Sequence, residues 1–142
     1  MSGRVLHLSD ELAAAVLVAA ARAYPAECCG LIEGIEISQG WRVLAMHEAQ
    51  NVADDPEKRF LIDPQTQFDL MRRVRGTERH ILGCFHSHPG GAPEPSATDR
   101  EDAYESNFLY LIAGGDPVSG FTLKAYVFDA MHKSFDKVAL SP

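Results

Sequence analysis

The chain has 142 residues, 46% of them hydrophobic and 23% charged, and carries a formal net charge of −7 at pH 7. That length accommodates one domain with one core and is too short for two ordinary ones, so residues 1–142 read as a single domain. The negative balance argues against phosphate-backbone binding, which needs a concentrated basic surface. No segment reaches the roughly 18 uncharged residues of a membrane span, so the expectation is no nucleic acid and no membrane.

In chain order, Ser9 is a good N-cap for a helix running to Ala23, with Leu12, Val16, Leu17 and Ala20 along one side and Pro25 as its stop. Cys28 to Ile37 and Trp41 to Glu48 read as apolar strands, and Asn51 to Arg59 as a polar, turn-rich loop. Phe60 to Ile62 is a brief strand candidate. Asp63-Pro64 then opens a second helix that Gly76 closes. The basic cluster Arg72, Arg73 and Arg75 falls late in that helix, where it complements the helix dipole. His80 to His88 reads as a strand, and Ser96 begins a third helix carrying on toward Ser106. Phe108 to Ala113, Gly120 to Phe128 and Ser134 to Val138 complete the set as strands. Interleaved strands and helices with hairpin-length connections predict an α/β domain built on one mixed, largely antiparallel sheet flanked by helices. Cys28, Cys29 and Cys84 have neither Cys-x-x-Cys spacing nor an even count, and read as buried small hydrophobes in a reducing cytoplasm.

The densest chemistry lies in His86-Ser87-His88, followed after Pro89 to Pro95 by Ser96-Ala97-Thr98-Asp99. Strand residues two apart share a face, with Cα atoms roughly 6.6 Å apart, so His86 and His88 can converge on one ion while Ser87 faces away. The Gly/Pro-rich turn can return Asp99 from the next element, which completes three ligands and leaves a position for water, as in catalytic zinc sites. Ser96-x-x-Asp99 reads equally as a helix cap. His7, His47, His80 and His132 read as ordinary core or surface histidines. Hydrolysis at such a site needs a base that is not itself a ligand. The residues alone leave Glu27, Glu33, Glu36 and Glu94 open for that role.

The stretch from His86 to Asp99 resembles the signature of the JAMM (MPN+, JAB) zinc metalloprotease family: His-Ser/Thr-His, seven residues, Ser-x-x-Asp. The family places an upstream glutamate in the setting Pro-x-Glu-x-x-Gly before an apolar strand, and here Pro25-Ala26-Glu27-Cys28-Cys29-Gly30 precedes Leu31 and Ile32. The resemblance extends over nearly the whole chain, including the Asn51 loop and the segment from Phe60 to Pro64. It implies an α-β-α sandwich of the cytidine-deaminase-like kind and one Zn2+ per chain, held by His86, His88 and Asp99. It also implies Glu27 as the base and Ser96 as the donor to the oxyanion, with Ser87 structural.

Members of that family cut amide or isopeptide bonds after the C-terminal glycine of ubiquitin or ubiquitin-like proteins. Here the regions where eukaryotic members carry long insertions, Asn51 to Arg59 and Gly114 to Ser119, are short. The resemblance therefore implies a compact, prokaryotic-type cytoplasmic enzyme whose substrate partner is a ubiquitin-like or sulfur-carrier protein. Its oligomeric state stays open, a homodimer included. The alternatives are a zinc peptidase acting on short or cell-wall peptides and a catalytically silent MPN binding scaffold. A nucleoside-deaminase-like zinc enzyme lacks its His-x-Glu and Pro-Cys-x-x-Cys here.

Overall fold

Side-chain caps start the first two helices of the protein, whose computed structural model describes residues 3–142. The order is β1 (Val5–His7), α1 (Asp10–Ala23), β2 (Cys29–Ile37), β3 (Gly40–Ala49), α2 (Pro64–Val74), β4 (His80–Pro89), α3 (Ala97–Asp102), β5 (Leu109–Asp116), β6 (Gly120–Asp129) and β7 (Ser134–Ser141). Ser9 accepts from the Leu12 N–H to begin α1, and Asp63 accepts from the Gln65 N–H to begin α2, with Pro64 in its first turn. Among the described residues no helix is long and apolar enough to cross a membrane.

The expected α-β-α sandwich around an open, largely antiparallel sheet is not what forms. The strands close into a seven-stranded mixed barrel in the order β1-β3-β2-β4-β5-β6-β7. The closing piece is β1, which sequence patterning passes over because three residues are too few to show a period. It pairs in parallel with β3, Leu6 opposite Trp41, and in parallel with β7, Leu6 opposite Leu140. Leu6 is fully buried at this seam. Gly40 makes the approach feasible: its φ is 148°, and a Cβ there would collide with the Val5 carbonyl. β4 and β5 are also parallel, and the remaining pairs are antiparallel.

Two further expectations are corrected. The helix beginning at Ser96 ends at Asp102, because Ala103 is already extended and the Asn107 N–H donates to the Phe128 carbonyl, steering the chain into β5. Phe60 to Ile62 contributes only an isolated bridge, Ile62 opposite Asn51.

Alternate residues of the same strands feed two apolar clusters, as the period of two requires. Ile32 and Phe85 pack with Val16, Ala19 and Ala20 of α1, whereas Leu31 and Cys84 pack with Leu70 of α2, Tyr110 and Phe128. Cys28, Cys29 and Cys84 are all buried and free. The parity that turns Cys84 toward the second cluster turns His86 and His88 the same way, at the end of β4.

Candidate metal centre

β4 is flanked by β2 and β5, with Cys29 and Ile112 on either side of His86. His86 is fully buried, and the His88 side chain is 13% exposed. Asp99 arrives in the first turn of α3. There the Ser96 hydroxyl accepts from the Asp99 N–H at 3.0 Å while Asp99 Oδ2 accepts from the Ser96 N–H at 2.9 Å. Ser96-x-x-Asp99 therefore forms the helix cap, a capping box, and that box sets a buried carboxylate beside the histidines. His86 Nε2, His88 Nε2 and Asp99 Oδ2 each lie 3.1 Å from the other two.

Hydrogen bonding alone does not explain that triangle. His88 Nδ1 lies 3.1 Å from the Ala92 carbonyl, which can only accept, so a neutral His88 carries its proton on Nδ1 and turns the Nε2 lone pair inward. If both Nε2 atoms instead carried protons for Oδ2, two like N–H dipoles would abut at 3.1 Å. A cation among the three atoms satisfies every lone pair. Two imidazoles and a carboxylate are a catalytic zinc donor set, and bonds of about 2.0–2.1 Å in a tetrahedron set ligand atoms about 3.3 Å apart, close to what is seen. Electrostatics agree at His86 and Asp99, while without an ion His88 leans the other way. Burial lowers the His86 pKa and keeps that ring neutral, against the pull of Asp99. Burial acts the same way on His88, but its bonds to Asp99 and to the Ala92 carbonyl outweigh it and raise the pKa. Burial opposes ionisation of Asp99, yet His86, His88 and the Ser96 N–H hold it far below the usual carboxylate range.

Glu27 completes the cluster from the short connection between α1 and β2. It is 6% exposed, and its Oε1 has no hydrogen-bond partner in the protein. Burial pushes its pKa up to about 7, with His88 lowering it and Asp99 raising it. Glu27, His86 and His88 each bring one ligand atom within 4.8 Å of the others, so this trio could also hold a metal ion. Asp99 lies closer to both rings and is firmly ionised, whereas Glu27 is poised near neutrality. Ser87, fully buried, faces away as expected and accepts from the Cys28 N–H at 2.8 Å, next to Glu27.

The other base candidates are elsewhere. Glu33 is held by His47 and Arg79, and Glu36 and Glu94 are exposed. Gly30 is crowded by the His47 carbonyl and the Phe85 ring rather than by the cluster. Sequence reasoning missed Phe60, whose ring stacks on His86 with centroids 4.3 Å apart and planes 21° from parallel. His86 Nδ1 has no partner in the protein, so this stacking holds the ring where a hydrogen bond ordinarily orients a ligating histidine. The available signal was an aromatic opening the short apolar run Phe60 to Ile62 directly after a polar loop.

The model of the family described as prokaryotic homologs of the JAB domain matches residues 9–128. The chain is 37% identical over 92 residues to the desampylase of Haloferax volcanii, a match covering 65% of each protein. It is 37% identical over 60 residues to a CD-NTase/cGAS isopeptidase from Enterobacter hormaechei, covering 36% of this chain and 33% of the relative. The chain thus spans less than two thirds of the length of these relatives. Among solved structures, a protein from Desulfitobacterium hafniense superposes with a TM-score of 0.83 at 26% identity, over 96% of this chain and 92% of the other. A protein from Salinibacter ruber does so with a TM-score of 0.68 at 28% identity, with the same coverage.

Proposed function

The chain belongs to the family of prokaryotic homologs of the JAB domain, and from that premise we propose that it is a zinc-dependent hydrolase. The bond cut is the peptide or isopeptide bond after the C-terminal glycine of a ubiquitin-like or sulfur-carrier protein. The observation that carries this reading is the 3.1 Å triangle of His86, His88 and Asp99 with the unpartnered Oε1 of Glu27 beside it. His86, His88 and Asp99 would hold one zinc. Bound there, the ion lowers the pKa of a water toward neutrality and polarises a carbonyl. Glu27 accepts a proton from the attacking water and returns it to the departing amine as the C–N bond breaks. The Ser96 hydroxyl accepts from the Asp99 N–H through one lone pair, and its own proton is the one that would donate to the developing oxyanion.

The names desampylase and isopeptidase, borne by two relatives, support a protein-conjugate substrate. Three buried free thiols suit a reducing cytoplasm. The test is elemental analysis for zinc together with cleavage of a ubiquitin-like fusion ending in diglycine, with and without a chelator. One zinc per chain and chelator-sensitive cutting after the glycine are expected. A folded protein that binds no zinc would overturn the reading.

A further inference from the structure

Glu27 lies outside regular structure, four residues past α1 and two before β2, and its Oε1 has no partner to aim it. Its main chain is tied at both ends to one segment. The Glu27 N–H donates to the Pro56 carbonyl at 2.7 Å, and the Glu27 carbonyl accepts from Asn51 Nδ2 at 3.0 Å. The same Nδ2 donates to the Arg59 carbonyl at 3.1 Å, with Pro56 O at 3.4 Å as the long arm of a shared bond. On its other side, Asn51 Oδ1 accepts from the Ala53 N–H at 3.1 Å and the Leu61 N–H at 3.0 Å. Carbonyls surround one end of the amide and N–H groups the other, which fixes its orientation. The neck of the segment is closed behind it by the Val52 N–H on Leu61 O and the Asp63 N–H on Gln50 O.

We infer that Asn51 is the positioning residue of the site: its single amide folds the 51–62 segment, and that segment sets Glu27 through its main chain and His86 through the ring of Phe60. Asn51 touches no reacting atom. It acts by placement, and a base held by its backbone depends on that placement because its buried Oε1 has no partner to aim it. No other side chain of the segment bonds to both Glu27 and the loop that carries Phe60. This inference rests on the reading of Glu27 as the base.

The test compares Asn51→Asp with Asn51→Ala. Aspartate keeps the shape and both bonds to Oδ1 but replaces the donor to Glu27 with an acceptor. Alanine removes the hub outright, so if it does not fold the aspartate variant still decides. In Asn51→Asp, hydrogen exchange at the Glu27 amide should accelerate at least about tenfold while the amides of β4 keep their protection. Zinc content and zinc affinity should match wild type, and kcat should fall about 10–100-fold with KM nearly unchanged. Wild-type exchange at Glu27 would overturn the inference. So would a uniform loss of protection across β2 and β4 with zinc affinity falling alongside kcat, since that is a general structural defect. If the wild-type protein cleaves no diglycine-tailed substrate, the proposed function fails instead, and exchange at Glu27 still decides the role of Asn51.

Discussion

Glu27 and Glu33 stand six residues apart, are both nearly excluded from solvent at 6% and 3% exposure, and have opposite chemistries. Glu33 Oε1 lies 2.6 Å from His47 Nε2, and Oε2 lies 2.8 Å from Arg79 Nη1. Burial works against its ionisation, but those partners outweigh it and hold its pKa below the ordinary value. Glu27 has burial without such partners, and its pKa rises to about 7. The register of β2 shifts at Glu33 against both β3 and β4, so the paired carboxylate ties β2 to β3 and to the residue that leads into β4 where the ladders are interrupted. One glutamate spends its charge on holding the barrel together. The other has burial and no such partners, which suits the role of base proposed for it.

The largest separation between the two should appear in turnover. Glu27→Gln preserves shape and removes the proposed base, so on that proposal cleavage should fall about 10²–10⁴-fold with any bound zinc retained. Glu33→Gln, measured beside it, should turn over like wild type once folded. Loss of zinc in Glu27→Gln would make Glu27 a ligand, in line with the Glu27, His86 and His88 trio, and would dissolve the contrast.

How much of this was legible in the sequence depends on the range of the interactions involved. His86 and His88 share a strand face by local geometry, and Ser9, Asp63 with Pro64, and Ser96 with Asp99 declare their helix starts within three residues of chain. Those features were readable. The choice among Glu27, Glu33, Glu36 and Glu94 was not readable from residue type, because what separates them is who else is nearby: Arg79 lies 46 positions from Glu33, and no partner reaches Glu27 Oε1. The family resemblance singled out Glu27 where spacing left it open. Barrel closure was hidden for a related reason. Val5 to His7 is too short to show periodicity, and its partners Gly40 to Arg42 and Ala139 to Ser141 lie far along the chain. The layered sandwich was what the family resemblance implied, and three residues of strand gave no pattern to set against it. Phe60 reads as one more apolar residue until the fold sets it on His86.

A second contrast should appear in the pH dependence of stability, measured by denaturant unfolding of chelated protein. A carboxyl whose folded pKa is raised stabilises the fold fully below its unfolded pKa, and that stability is lost as pH rises through the folded value. For Glu27 the window runs from 4.5 to about 7. A shift of that size corresponds to a penalty on the order of 3 kcal/mol above the window. Glutamine cannot ionise and escapes it. Glu27→Gln should therefore be the more stable protein at pH 8, and the advantage should fade toward pH 4.5. A flat difference across that range would mean that Glu27 is ionised throughout, with some partner stabilising its charge.

The smallest effect is expected at Glu33, with the opposite sign. Its lowered pKa contributes stability that is present above the unfolded value and is lost as pH falls through the folded one. Glu33→Gln should destabilise the protein at pH 7 by about 2 kcal/mol, the scale of hydrogen bonds to a charged group. Loss of a fully buried pair would cost more, but the Arg79 side chain is 45% exposed, so water recovers the guanidinium when its partner leaves. The deficit should shrink in acid, where the wild-type carboxylate is itself being protonated. Arg79→Met should reproduce part of the loss, and the double variant should fall short of the sum, because both substitutions remove the same bond. Full additivity would show that the carboxylate is held by His47 alone. That bond lies wholly between β2 and β3, so Glu33 would then clamp one hairpin and leave β4 to its own ladder.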